Sequence, residues 1–221
     1  TTGLNRARRL ILLAGLGLLI LSGCRGGKPV PCGTQAEAVD PAGEPLQWDL
    51  PPAQGQREKL REHLNGIVLE IVPLARYRLA AEVKGVERYS RGWQGQFAPC
   101  DLALAWGELA GARADRFIRY SQGSRWYHYR FAAGTPFSPD YIAAHSANTH
   151  VAPATKNLRL ALRRVRKGDR LILEGDLIRV TGRAKRGTFY WNSSTSRLDT
   201  GDNSCELLYL HRLVRDHLVY Q

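Results

Sequence analysis

Gly168-Asp169-Arg170-Leu171-Ile172-Leu173-Glu174-Gly175-Asp176-Leu177-Ile178-Arg179-Val180 is the stretch whose reading decides the fold class. Gly168-Asp169 turns the chain, and Arg170 to Val180 then reads as a long strand of aliphatic and branched side chains. Gly175 interrupts it. A glycine inside a strand marks a bulge or a sharp bend, of the kind found at a barrel corner.

Working outward, Tyr77, Leu79, Ala81 and Val83 alternate with Arg78, Ala80, Glu82 and Lys84, so this segment is a strand with one buried face. Leu102 to Trp106 is a second candidate strand. Arg116 to Tyr120 and Arg125 to Phe131 flank Ser121-Gln122-Gly123-Ser124 and read as a hairpin. In its second arm Tyr127, Tyr129 and Phe131 share one face, with Trp126, His128 and Arg130 on the other. Tyr141 to Ala144, after Pro136 and Pro139, reads as a short helix. Leu158 to Val165 fits a helix through Leu158, Leu162 and Val165, and a strand through Leu158, Leu160 and Leu162. Cys205 to Val214 is strand-like. The charged stretch Gln56 to Leu64 reads as helical, ending near Gly66. The expected class is α+β and β-dominated: a small antiparallel barrel or strongly bent sheet with a few short helices. The segment Gly168 to Gly175 resembles the turn and bent strand of OB-type barrels, over less than a tenth of the chain. From Trp93 to its end the chain resembles exported bacterial proteins of unassigned function, and this resemblance implies no mechanism.

The N-terminal region has a different character. Arg6, Arg8 and Arg9 form a basic cluster with no acid before Glu37, and an apolar run follows from Leu10 to Leu21. The run is about 12 residues, against about 20 for a spanning helix, so it reads as an export signal. It ends in Leu21-Ser22-Gly23-Cys24. This resembles the lipobox of bacterial lipoproteins, in which an aliphatic and two small residues precede an invariant cysteine. The resemblance implies diacylglycerol on the Cys24 thiol, cleavage before Cys24 and acylation of the new amine. It places the protein in the cell envelope, anchored to the membrane through Cys24. Arg25 follows Cys24 where inner-membrane retention resembles an aspartate, so a Gram-negative host implies the outer membrane, facing the periplasm. The chain holds no Met, and an initiator upstream of Thr1 is expected. The domain reading is residues 1–23 as signal, 24–55 as lipidated cysteine and Pro/Gly-rich tether, and 56–221 as a single β-rich domain.

Without Thr1–Gly23 the chain loses Arg6, Arg8 and Arg9 and no acid from its 32 basic and 20 acidic residues, which leaves a net charge of +9. Such a balance in an envelope protein points to anionic company: an anionic glycan or lipid headgroup, or an envelope protein partner. Nucleic acid is not favoured, because an anchored envelope protein rarely meets it. Between Lys156 and Arg186 there are 11 basic residues against Asp169, Glu174 and Asp176. Arg163, Arg164, Arg166 and Lys167 are the densest run and the candidate anion-binding residues, a solvated basic face being the plainer alternative. Trp126, Tyr127 and Tyr129 would add stacking surface. With Cys24 lipidated, one further intrachain pair is possible; Cys100 and Cys205 would close a loop of about 100 residues, worth on the order of 4–5 kcal/mol in the entropic model. Buried, unbonded thiols are the alternative.

The densest polar cluster is His145-Ser146-Ala147-Asn148-Thr149-His150. Two helical metal ligands normally sit four apart; a spacing of five puts the imidazoles about 140° apart on a helix and on opposite faces of a strand. The cluster therefore reads as a polar loop in which Asn148, His145 and His150 bond backbone groups, and neither metal nor cofactor is expected. Asp199-Thr200-Gly201 resembles the catalytic triplet of aspartic peptidases, which need two such aspartates. The chain has one, and Asp202 follows it where the family has a small residue, so a turn or a weak calcium loop is the better reading. Ser193, Ser194 and Ser196 with His145 or His150 and Asp199 or Asp202 supply the residue types of a hydrolase without a nucleophile elbow. His145, Asn148, His150 and Asp199 are thus a candidate functional cluster, with no catalytic residue assigned. The leading expectation is non-catalytic binding of an anionic polymer or protein partner. The alternative is an envelope hydrolase built on His145–His150 and Ser193–Asp202.

Overall fold

The computed structural model describes residues 27–50, 60–185, 187–196 and 204–221. The strands are β1 (Gly33–Thr34), β2 (Leu46–Asp49), β3 (Leu60–Leu64), β4 (Ile67–Arg88), β5 (Cys100–Ala105), β6 (Ile118–Gly123), β7 (Trp126–Phe131), β8 (Ser146–Pro153), β9 (Arg170–Ala184), β10 (Gly187–Asn192), β11 (Glu206–Arg215) and β12 (Leu218–Tyr220). The helices are α1 (Gly92–Phe97), α2 (Ala112–Asp115), α3 (Pro139–Ala144) and α4 (Lys156–Leu162). None of the described helices is long and apolar enough to cross a membrane. The protein is therefore β-dominated α+β.

Ten strands form one mixed sheet, and β6 and β7 form a separate hairpin. Within the large sheet five strands hydrogen-bond in a cycle: β4 to β5, β5 to β8, β8 to β11, β11 to β9, and β9 back to β4. The β8–β11 pair is parallel and the other four are antiparallel. This corrects the expectation of a small antiparallel barrel. The sheet is larger, carries one parallel pair, and extends through β1, β2, β3, β10 and β12 beyond the cycle. The bent-sheet alternative holds.

The alternation around Tyr77 explains the inside of the cycle. Tyr77, Leu79, Ala81 and Val83 of β4 pack with Cys100, Leu102 and Leu104 of β5, Val151 of β8, Leu171, Leu173 and Leu177 of β9, and Leu208, Leu210 and Leu213 of β11. Leu158, Ala161 and Leu162 of α4, followed by Val165, join the same core. The ambiguity over Leu158 to Val165 resolves as helix because Thr155 caps it, its side chain accepting the Leu158 N–H at 3.1 Å. Above the cycle, the N-terminal part of β4 and the C-terminal part of β9 continue as a sheet with β3 and β10. Leu69, Ile71, Ile178 and Val180 there pack against Phe97 and Tyr209 in a second core. Phe189 lies across Gly182, which has no side chain to obstruct it, and stacks on Trp93 with ring centroids 4.2 Å apart.

Three other readings change. Leu60–Leu64, expected as the end of a helix, is a strand because it pairs antiparallel with Ile67–Ile71 across the Asn65-Gly66 turn. The 145–150 segment is not a loop: His145 is the C-cap residue of α3, and residues 146–150 are the start of β8. Its alternation sends Ala147 and Val151 into the core and Ser146, Asn148 and His150 to the other face, where polar partners wait. The hairpin turn sits one step later than expected, at Ser124-Arg125, both with positive φ (51° and 71°) as a two-residue hairpin turn requires. Within the stretch read as tether, β1 pairs with β12, β2 pairs with β4, and Val39 is buried beside Ile172, Val214 and Val219.

At Gly175, where the sequence suggested a bulge or bend, the structure shows a close approach of two backbones. A Cβ there would stand 2.1 Å from the Tyr209 carbonyl oxygen, where β11 crosses with a register shift between Leu210 and Arg212. Gly175→Ala is expected to destabilise the protein by about 2–4 kcal/mol, whereas Gly43→Ala, with open space around it, changes it by less than about 0.5 kcal/mol. Urea midpoints of the two variants check this.

Candidate functional site

A groove of about 610 Å³ lies between the C-terminal part of β4, β6 of the hairpin and the turn joining α4 to β9. Arg163, Arg166 and Lys167 line one wall and are exposed; Tyr120, Ser121 and Gln122 of β6 line the other. Arg164, the fourth predicted residue, is exposed but lies outside the groove. The basic wall is held rigidly. Asp169 Oδ2 accepts the Arg166 N–H at 2.9 Å and Arg215 Nε at 2.7 Å, which closes the turn. Arg88, at the end of β4, donates through Nη2 to the carbonyls of Val165 (2.8 Å), Arg163 (3.2 Å) and Leu162 (3.5 Å). A cation at these C-terminal carbonyls satisfies acceptors that the helix leaves open.

The floor contains Lys84, the extra residue in a β4 bulge between Val83 and Gly85. Its ammonium is buried and lies 2.7 Å from Glu82 Oε1 and 2.9 Å from Asp115 Oδ1. Two carboxylates neutralise it, so Lys84 shapes the floor and the exposed cations of the rim carry the attraction for an anion. A smaller cavity of about 220 Å³ adjoins, lined by Arg88, Tyr89, Cys100, Arg159 and Arg163 among others. Partial burial lowers the Arg159 pKa, and the neighbouring Arg163 charge lowers it further. The groove and its annex thus crowd Arg88, Arg159 and Arg163 together, an arrangement that a bound anion would relieve. Sequence reasoning singled out neither Arg88 nor Arg159. Arg159 belonged to the counted basic segment, whereas nothing in sequence brings Arg88 to α4.

The candidate cluster of His145, Asn148 and His150 is divided among different tasks. His145 stacks on Tyr141 at 3.7 Å between centroids and lies 2.8 Å from Glu44 Oε1; the same carboxylate accepts Trp106 Nε1 through Oε2 at 3.0 Å. Together they fasten the N-terminal stretch to the body. Asn148 clasps the hairpin: its Oδ1 accepts Gln122 Nε2 at 2.9 Å and its Nδ2 donates to the Arg125 carbonyl at 3.0 Å. His150 pairs in register with Asp101 on β5, its Nδ1 2.9 Å from Asp101 Oδ1 but without the alignment of a hydrogen bond. Asp101 is buried and also accepts from Arg125 Nη1. The Arg125 guanidinium lies 3.8 Å from the Tyr89 ring centroid and 5.3 Å from that of Trp191. Asp101 was not singled out in sequence; the cross-strand pairing that brings it to His150 is a tertiary fact.

Ser193 spends its hydroxyl on backbone, donating to the Ser194 carbonyl at 2.7 Å and accepting the Leu207 N–H at 2.9 Å. Asp199 and Asp202 lie outside the described residues, as does Cys24. Among the described residues no group of three or more His, Cys, Asp or Glu side chains is placed to hold a metal ion. The expected Cys100–Cys205 disulfide is not formed. Cys100 points into the core, while Cys205 Sγ lies 3.9 Å from Asn148 Nδ2 on the opposite side of the sheet. No family model, curated protein or solved structure matches the chain.

Two outcomes follow from this geometry. Arg125→Ala strips a buried carboxylate of its cation and is expected to cost about 3 kcal/mol, against less than about 0.5 kcal/mol for the exposed Arg130→Ala on the same hairpin; chemical denaturation separates them. Burial raises the Cys100 pKa to about 12. Iodoacetamide at mildly alkaline pH should therefore modify exposed Cys32 in the native protein and reach Cys100 only after denaturation, without added reductant. A disulfide at Cys100 would block it in both states.

Proposed function

We propose that this chain is a lipid-anchored cell-envelope protein whose β-rich body binds a phosphate- or carboxylate-bearing ligand, without turnover, in the groove between β4, β6 and the α4–β9 turn. The anchor rests on the signal and lipobox at Leu21–Cys24. The observation that carries the binding reading is the convergence of Arg163, Arg166 and Lys167 on one groove, backed by Arg88. A solvated basic face would scatter such side chains; here Asp169 and Arg88 fix the backbone that presents them.

The strand order supports an OB-like reading of the cycle. Taken along the chain as one to five, its strands run in the order one, two, three, five, four, with three and five parallel and a helix between three and four. OB-type barrels take oligonucleotides and oligosaccharides across their second and third strands and the adjoining loops. In this chain those strands are β5 and β8, and the β6–β7 hairpin is clamped over their outer face through Asp101, Asn148 and Arg125. Ligand space is displaced to the hairpin's flank, where the basic groove lies. Stacking of splayed bases on that covered face is disfavoured, and charge attraction at the flank remains.

Binding of sodium polyphosphate to the unlipidated chain tests this. Arg163→Glu/Arg166→Glu/Lys167→Glu should raise Kd by about tenfold or more, equivalent to about 1.4 kcal/mol. Arg179→Glu/Arg183→Glu/Lys185→Glu, with the same change in net charge at exposed positions on and just beyond the far end of β9, should leave Kd near its original value. Equal losses in both triple variants would reduce the groove to diffuse surface charge.

A further inference from the structure

The first described residues run along α4. The Val30 N–H donates to Asn157 Oδ1 at 2.8 Å, and Asn157 Nδ2 donates to the carbonyls of Val30 at 2.8 Å and Gln221 at 3.0 Å. Gly27 lies against Leu160, whose Cδ1 would be 3.3 Å from a Cβ at that position. From Val30 back to Gly27 the chain therefore passes from Asn157 to Leu160, toward the C-terminal end of α4. That end carries the exposed Arg163, Arg164, Arg166 and Lys167. Three peptide steps separate Gly27 from Cys24, a covalent reach of roughly 10 Å.

Resting on lipid attachment at Cys24 as proposed above, we infer that Lys28, the outer side of α4 and the α4–β9 turn form the face that lies on an anionic lipid bilayer, with headgroup phosphates as the groove's ligands. The acyl chains and the basic surface leave the same side of the molecule, so anchoring brings that surface to the headgroups. Between Lys156 and Arg170 there are seven basic residues and a single acid, Asp169. Asp169 is already engaged by Arg215 and the Arg166 N–H, so little negative charge opposes the approach. Such charges act on a membrane mainly within about a Debye length, near 8 Å at physiological salt, and a reach of roughly 10 Å from Gly27 is comparable with that length. The hairpin face bearing exposed Trp126 is not tied to the anchor in this way, and a soluble polymer would require no such proximity.

The wild-type lysines report the orientation. Lys28, Lys156 and Lys167 belong to the proposed face, whereas exposed Lys185 lies just beyond the opposite end of β9 from Lys167. The lipidated full chain is reconstituted in phosphatidylethanolamine–phosphatidylglycerol vesicles and in phosphatidylcholine vesicles, acetylated with an amine-reactive ester, and read by mass spectrometry. Anchoring is the same in both, so the comparison isolates headgroup charge. Lys28, Lys156 and Lys167 should lose reactivity severalfold in the anionic vesicles, with Lys185 unchanged. Equal reactivity of those three in both vesicles, or equal protection of Lys185, overturns the orientation. If polyphosphate still binds the groove in that case, the binding reading survives and its ligand is a polymer. If the mass spectrum of the cell-derived protein shows no lipid on Cys24, the inference falls with its premise.

Discussion

The structure depends on closing a cycle of five strands with side chains large enough to fill it, and the tightest point of that closure is where Gly175 meets the Tyr209 carbonyl. β9 must pair with β4 along its whole length and with β11 over its first half. Where it does both, at Gly175, the backbones of β9 and β11 come closer than a Cβ allows. β11 answers with the irregularity between Leu210 and Arg212. The extra residue there, His211, turns its ring to Asp176, with Nε2 to Oδ2 at 2.9 Å. Beyond this contact the two long strands continue as the upper sheet with its own core.

The outer face of the ring raises a different problem. β5 and β8 direct Asp101, Asn148 and His150 away from the core, and the insertion between these strands covers them. A buried carboxylate is costly unless paired. Asp101 has Arg125 and His150 beside one oxygen, while its Oδ2 has no hydrogen-bond partner. The hairpin is held by this charge and by the Asn148 clasp, and the turn residue Arg125, at positive φ, also donates its N–H to the Tyr89 hydroxyl at 2.9 Å. The groove is a by-product of that docking. Its β6 wall stands where it does because the hairpin tip is pinned to β5 and β8, and its basic wall because Arg88 and Asp169 fix the end of α4.

These dependencies explain which features the sequence discloses. The alternation at Tyr77–Val83, the glycine in Arg170–Val180 and the hairpin arms are local patterns, and each corresponds to an element. The basic run at Arg163–Lys167 is local as well, so it was visible as a candidate. Arg88, Lys84 and Asp101 were not, because their roles arise from residues brought together across 24 or more positions, as in Arg88 with Leu162, Lys84 with Asp115 and Asp101 with Arg125. The 145–150 segment misled for a related reason. Its polar residues resemble a loop when water is assumed to be their partner, but a polar side chain can lie on a strand when an insertion supplies the partners. The strand order, and with it the five-strand cycle, depends on long-range pairing that a single short resemblance at Gly168–Gly175 could only suggest.

An anchor and a basic surface on the same side of a molecule do different work. Several acyl chains hold a protein on a bilayer with no help from charge, since each buried methylene contributes about 0.8 kcal/mol. On the proposed anchoring, the cations near Gly27 would not be needed for retention, and their contribution would be to orientation. A domain attached at one flexible point samples many attitudes; basic side chains within a Debye length of anionic headgroups, each worth about 1 kcal/mol, select one of them. Selection would need the proposed anchor's exit and the charges to be held in a fixed relation, and the Asn157 clamp on Val30 and the packing of Gly27 on Leu160 hold the described chain up to Gly27 in that way. A lengthy free tether would uncouple the two. Laid along α4 as it is, the described N-terminal chain would give a proposed anchor at Cys24 a fixed relation to the basic face.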